Sequence, residues 1–481
     1  MRTRLLNNLT NYLNNIAIQT KSSKTTYKDL LDRALGWIVK LGAIGINSSS
    51  YVALNINDKE KFIELFLALW EIGALTITLD KQSFKKDGKD LILQSNVQYL
   101  LTDSKLFEQF GFSYYSTVVN DYVYFVKIDE LKVNKRRENL LCYNDHVMLF
   151  TSGTNGKKKG VVIAHDSMLN NALKVAKYTN ISQIDKTLLT LPVTYCYAIS
   201  QMLAHFSVGA CVFLLSIKTP NEAINIMNLY DGITNYAATP YFYESLANKM
   251  KTNNIVLPNC FRFFMNAGGY LSHLIIQKVI EKFPNILFFN NYGQTEAGPR
   301  ISYQKININN KLYLGVGKPL DGVDIIICNE YFEKISIGEI GEIYYCSEDQ
   351  MVGYYGEEEF ETSKYIPSGD LGYINKNGAL IIVGRKDSMI KINGKKVYKN
   401  YIEDALMQLE CVKSIKLKKK SHLQFGEYFD AHVIRDKSFS ENDVKNIIMD
   451  FCKKYFDVNS RPKTIIIKDE CMLSDNNKIF L

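Results

Sequence analysis

The chain has 481 residues, 46% hydrophobic and 22% charged, the balance of a globular protein with a large core rather than a disordered or fibrous one. A net charge of +8 mildly favours anionic ligands, but no arginine-rich block marks a nucleic-acid surface, so nucleic acid is not expected as a partner. Nine cysteines with no Cys-x-x-Cys and no paired spacing with histidine predict reduced thiols in a cytoplasmic protein.

The opening "MRTRLLNNLTNYLNN" has no apolar centre of the signal-peptide kind. "YVALNI" at 51–56 predicts a strand. The strongest apolar run, "FIELFLALWEIGALTITL" at 62–79, contains Glu64 and Glu71. Those charges make a bilayer span costly, so the run predicts a buried helix leading into a strand, and no transmembrane segment. Further along, "DSMLNNALKVAKYT" at 166–179 and "LSHLIIQKVIEKF" at 271–283 predict amphipathic helices. "ACVFLL" at 210–215 and "ILFFNNYG" at 286–293 predict strands. The alternation argues for an α/β fold: a large N-terminal domain of stacked, mixed and parallel sheets with helices. Near Ser368 the texture changes to short strands joined by Gly and Asn turns, such as 375–378 and 393–396. A boundary close to Asp387 divides a large domain, 1–386, from a small α+β C-terminal domain, 387–481.

"MLFTSGTNGKKKGVVIAH" at 148–165 gathers Thr151, Ser152, Gly153, Thr154 and Gly156 ahead of Lys157, Lys158 and Lys159. It is not a Walker loop, because the second Gly position of that pattern is Lys158. Clustered glycines still let backbone N–H groups converge on an anion, and the hydroxyls add donors. Alone, such a cluster is more often a solvated turn. It is followed by "NNYGQTEAGPR" at 290–300, beyond the carboxyl end of a strand, where α/β folds place ligands. Then come "SGDLGY" at 368–373, "GRKD" at 384–387, "KINGKKV" at 391–397 and a terminal "SDNNKIFL".

In this order, these stretches resemble the acyl-adenylate-forming (AMP-binding) superfamily: acyl-CoA synthetases, peptide-synthetase adenylation domains and luciferase. "FTSGTNGKKKGV" is similar to its phosphate loop, "YGQTE" to its core motif, "SGD" to its ribose motif and "GRKDSMIKINGKKV" to its hinge. The resemblance implies an ATP- and Mg²⁺-dependent carboxylate ligase. It would make an acyl-AMP from a small carboxylic acid, then a thioester on coenzyme A or on the phosphopantetheine of an acyl or peptidyl carrier protein. It also implies roles. Thr151, Ser152, Gly153, Thr154, Gly156 and Lys159 would hold the β/γ-phosphates, with Lys157 and Lys158 solvated. Thr295 would bond the α-phosphate and Glu296 the metal. Asp370 would accept the ribose hydroxyls, and Arg385 would donate to ribose or phosphate. Gly268, Gly269, Asn291, Tyr292 and Gly293 would surround adenine. Lys478 would bridge carboxylate and α-phosphate as the catalytic lysine. Asp387 would be the hinge of a mobile small domain that carries Lys391 and Gly394 to the thiol tunnel.

The chain departs from the family pattern at Asn155, Lys158 and Asn477, and at Lys399 and Tyr401 in the small domain. None of these removes a group the chemistry requires, and together they mark a divergent member. The acyl pocket is expected around Tyr195, Tyr197, Tyr236 and Ala267. Tyr195 and Tyr197 read equally well as packed core aromatics. No Asp stands in "LPVTYCYA" to pair with an α-ammonium, which favours an acid without an α-amine. None of the six histidines is placed in catalysis, and His165 reads as a cap or packing residue. A binding protein that keeps the ATP site without turnover is the other class left open. A kinase-like reading lacks its signatures.

Overall fold

A computed structural model describes residues 3–119, 123–128, 143–152, 158–217, 219–250, 255–266, 268–310, 315–357, 364–392, 395–422, 426–468, 472–473 and 479–480. Two large sheets dominate it. In the first, the strands Leu287–Tyr292, Phe263–Asn266, Asn235–Ala238, Lys186–Leu189, Cys211–Leu214 and Ile16–Gln19 lie side by side and parallel. Antiparallel strands flank them, Ser302–Ile306 and Lys318–Pro319 at one edge and Lys24–Thr26 at the other. The second sheet has a parallel centre of Tyr99–Thr102, Tyr51–Asn55, Leu75–Thr78 and His146–Ser152, again with antiparallel flanks. Strands buried on both faces read as nearly continuous apolar runs, which is why the parallel centres were legible as sequence.

The run 62–79 shows how a charge survives inside an apolar helix. The helix Lys59–Ile72 starts where the Asp58 side chain accepts from Lys61 N and ends at Gly73 in the left-handed region. The strand Leu75–Thr78 follows, as expected. Glu64 is 2% exposed, yet Lys61 Nζ lies at 2.7 Å, Arg33 Nη1 at 3.3 Å and Trp37 Nε1 at 3.0 Å. This helix, together with His165–Thr179 and Cys196–Phe206, contributes to one core shared by both sheets. His165 stacks on Trp70 with ring centroids 3.9 Å apart and makes no side-chain cap. Packing is therefore its role.

A four-stranded antiparallel sheet follows: Val323–Cys328, Gly341–Ser347, Ile366–Ile374 and Leu380–Arg385. Its last turn is closed by Asn375 N donating to Ala379 O at 2.9 Å, with Gly378 at φ +74°. Beyond it, the pair Ile390–Ile392 and Lys395–Val397 precedes the helix Lys399–Leu406. A three-stranded sheet of Val412–His422, Gly426–Arg435 and Thr464–Lys468 carries the helix Glu441–Tyr455. A separate apolar cluster, Ile390 to Ile465, lies within this stretch. Among the described residues no helix is long and apolar enough to cross a membrane. The described cysteines are free thiols.

Candidate active site

The parallel strands of the first sheet end at the rim of one cavity of about 1480 Å³. Thr194 to Tyr197, Thr239, Asn266 to Tyr270 without residue 267, and Tyr292 to Glu296 line it, each just past a strand's carboxyl end. This is where α/β sheets bind ligands, because successive loops leave a crevice there. Single small-ligand pockets reach roughly 1,000 Å³, so this one has room for a nucleotide and an acid together.

The strand Leu287–Tyr292 delivers the densest group of polar side chains. The Asn291 amide donates to Tyr197 Oη at 3.3 Å, and its Oδ1 accepts from the Tyr178 hydroxyl at 2.9 Å. The Tyr292 hydroxyl donates to Asp370 Oδ2 at 2.7 Å. Asp370 stands directly across the antiparallel ladder from Arg385, whose Nη1 donates to Asp370 Oδ1 at 3.3 Å and to Ser368 O at 3.1 Å. Burial raises the Asp370 carboxyl above its ordinary range, while the Tyr292 hydroxyl and the Arg385 guanidinium pull the other way. Next along the chain, Thr295–Ala297 form a single 3₁₀ turn. Glu296 Oε1 accepts from the Tyr354 hydroxyl at 3.1 Å. Lys159 Nζ lies 4.3 Å from the centre of the Tyr354 ring and pairs with Glu357 at 3.1 Å. Tyr354 thus joins the lysine after the phosphate loop to the carboxylate of the core motif.

Thr151, Tyr195, Tyr197, Gly268, Gly269, Asn291, Tyr292, Gly293, Thr295, Glu296, Asp370, Arg385 and Asp387 all line the cavity. Asp387 Oδ1 is 3.7 Å from Arg385 Nε. Ser152 and Lys391 are described as backbone, in the strands His146–Ser152 and Ile390–Ile392. Gly153, Thr154, Gly156, Ala267, Gly394 and Lys478 lie outside the described residues.

Two expectations need correction. Tyr236 does not face this cavity. Side chains alternate along its strand, so Ala237 joins the inter-sheet core while Tyr236 turns into a second apolar cluster. There it lines a separate small cavity with Thr190 and Phe242. Lys158 is not solvated. Its Nζ bonds Ser83 Oγ and lies 3.5 Å from Asp87, which anchors the end of the phosphate loop to the helix Lys81–Gln94.

Sequence reading did not single out three residues at the site, of which Cys196 and Arg300 line the cavity and Tyr354 stands behind Glu296. Tyr354 acts through a contact 58 residues away, which no local pattern encodes. Cys196 lines the wall, and burial pushes its thiol up, which disfavours the thiolate. Arg300 also faces the cavity. Its signal was present: a charged residue closing an otherwise uncharged "AGPRI" beside the core motif.

Comparison with known proteins bears on the family and the fold. A family model described as AMP-binding enzyme matches residues 6–355. The 2-succinylbenzoate–CoA ligase of Oceanobacillus iheyensis is 24% identical over 463 residues, 95% of this chain and 93% of that protein. Bacitracin synthase 3 of Bacillus licheniformis is 24% identical over 345 residues, 69% of this chain but 5% of that protein. The o-succinylbenzoate CoA synthetase of Bacillus subtilis, solved with its acyl-adenylate intermediate, shares the fold at TM-score 0.80 and 19% identity, over 100% of this chain and 97% of that one. The family match runs through most of the chain: this protein belongs to the AMP-binding enzyme family, the acyl-adenylate-forming ligases.

Proposed function

We propose that this chain activates a small carboxylic acid with ATP and passes the acyl group to coenzyme A. A carboxylate oxygen attacks the α-phosphorus, the bond to the bridging oxygen breaks, and pyrophosphate leaves with its electron pair. The sulfur of the thiol then attacks the acyl carbon, AMP leaves, and a thioester remains. The first step brings a carboxylate to a polyanion, so catalysis is mostly positioning and charge stabilisation.

The observation that carries this reading is the cluster of Tyr292, Asp370 and Arg385 on the cavity wall beside Thr295 and Glu296. Asp370, held from two sides, accepts the vicinal ribose hydroxyls. Arg385 adds a fixed cationic donor, and Thr295 offers its hydroxyl to the α-phosphate. Lys159 and the loop 151–156 take the outer phosphates, and Lys478 bridges the two reacting groups. Among the described residues no three His, Cys, Asp or Glu side chains converge on a metal site. Glu296 fits Mg²⁺ as a single carboxylate, with phosphate oxygens completing the hard oxygen shell. Bound there, the ion would neutralise phosphate charge. We further propose that a small domain, 387–481, turns about Asp387 between the two steps and brings Lys391 and Gly394 to the thiol. A cytoplasmic setting with free thiols fits this chemistry.

The second reading is transfer to the phosphopantetheine of a carrier protein, favoured by the match to a peptide synthetase. Against it, the segment 191–198 has no acidic side chain for an α-ammonium.

ATP–pyrophosphate exchange over aryl, short-chain, fatty and amino acids tests the proposal. One acid class should stimulate exchange, and Lys478→Ala should lower it by about 100-fold or more while ATP affinity holds. Equal loss of both, or loss of neither, would remove Lys478 from its role. Mass detection of an acyl-CoA, against an acylated carrier protein, separates the two acceptors.

A further inference from the structure

Tyr354 stands behind the cavity wall, between two groups of opposite charge. Its hydroxyl donates to Glu296 Oε1 at 3.1 Å, and the centre of its ring lies 4.3 Å from Lys159 Nζ. Its backbone is tied to the segments of both partners. The short strand Gly353–Tyr354 pairs with Val162 and Val161, on the strand that carries Lys159. Tyr355 N donates to Gly160 O at 2.7 Å, and Met351 N donates to Glu296 O at 2.8 Å. The end of the phosphate loop, the core-motif turn and residues 351–355 therefore form one hydrogen-bonded unit.

Burial, and then the charge of Glu296, raise the Tyr354 hydroxyl above its ordinary range, so it keeps its proton and donates. A free glutamate samples several rotamers, and holding one of them before a ligand arrives removes that cost from binding. The bond engages Oε1 and leaves the second oxygen, Oε2, for a cation. On the other side Lys159 pairs with Glu357 at 3.1 Å, with side chains 43% and 53% exposed. A pair so open to water contributes little. Lys159 can leave Glu357 for an incoming phosphate at small cost and keep the face of Tyr354.

We propose that Tyr354 is a positioning residue for the metal–nucleotide complex. It holds Glu296 and Lys159 at a set spacing, so that the carboxylate meets the metal while the lysine meets the outer phosphates of the same molecule. Tyr354 does not itself line the cavity. This rests on the adenylation reading of that cavity. Loss of the hydroxyl alone acts on the carboxylate side, and loss of the ring acts on the lysine side as well.

Calorimetry of ATP binding, with Mg²⁺ and with EDTA, tests this in wild type, Tyr354→Phe and Tyr354→Leu. Wild type should bind ATP more tightly with Mg²⁺. In Tyr354→Phe that advantage should shrink about 10-fold, the effect of one hydrogen bond to a charged group, while metal-free affinity holds. Tyr354→Leu should lose the same advantage and also weaken metal-free binding by about 3-fold, because Lys159 loses the ring. In a Glu296→Gln background, Tyr354→Phe should change the Mg²⁺ advantage no further, since the two act as one unit. An unchanged advantage in Tyr354→Phe overturns the inference and leaves adenylation standing. So does an equal loss with and without Mg²⁺, which marks a merely structural tyrosine, and so does a wild type indifferent to Mg²⁺. A Mg²⁺ advantage that depends on Tyr354, in a protein that shows no ATP–pyrophosphate exchange with any acid, supports the inference and sinks adenylation. Absence of ATP binding in wild type overturns both.

Discussion

At Gly293 the backbone leaves room for hydrogen alone. A Cβ there would overlap the carbonyl oxygen of Pro299, because the chain doubles back on itself across the core motif. Backbone cannot yield as a flexible side chain would, so Gly293→Ala should cost at least ~2 kcal/mol in chemical denaturation and disorder Thr295 and Glu296. An unchanged unfolding midpoint would mean that the turn relaxes at no cost. Asp370 makes a different case. Asp370→Ala leaves the half-buried Tyr292 hydroxyl without its acceptor and Arg385 without its partner carboxylate. ATP affinity should drop about 10- to 100-fold by calorimetry, since a charged acceptor facing a diol is lost. Undiminished affinity would sink the ribose assignment.

Single elements behave more locally. The helix Tyr27–Ala43 begins with a reciprocal capping box: Thr26 Oγ1 accepts from Asp29 N at 3.1 Å, and Asp29 Oδ2 accepts from Thr26 N at 3.2 Å. Thr26→Ala should therefore cost about 1 kcal/mol in stability. ATP affinity should not change, because this helix does not line the cavity. A matching loss of ATP binding would mean that the sheet edge and the site are coupled. Element boundaries were largely readable in advance, since caps and periodicity are local. Asn180 at φ +53° ends the helix His165–Thr179 where the amphipathic pattern stops.

On the scale of the whole molecule, two buried histidines set an acid limit. Burial lowers His165 to about 3 and His205 to about 4, from an ordinary 6.5. Burial holds His205 neutral against its partners, Gln201 O at 2.8 Å from Nδ1 and the Asn235 amide at 3.2 Å from Nε2, which pull the other way. Between their folded values and 6.5, the unfolded chain binds more protons than the native one. Stability therefore rises with pH across that window and is lost as pH falls from 6.5 toward 4. At pH 5 each histidine should have removed about 2 kcal/mol relative to neutral pH. His165→Phe keeps a ring against Trp70 and should flatten the stability–pH slope by one proton. An unaltered slope would show that His165 does not titrate on unfolding.

The sequence by itself determined the alternation of strands and helices, the buried helix leading into a strand within 62–79 and the family, because these depend on residues close together in the chain or on ordered motifs. It also named Thr295, Glu296, Asp370 and Arg385, which stand inside such motifs. Only the tertiary structure decided what surrounds them. Tyr354 reaches Glu296, Lys158 reaches Ser83, and Arg300 meets Tyr197 and Tyr178, each across a long stretch of chain. Tyr236 turned away from the cavity because strand register, set by pairing with Leu188 and Phe264, fixes which face each side chain takes. A local pattern specifies that a strand forms. Which of its faces meets the ligand depends on neighbours that only folding brings together.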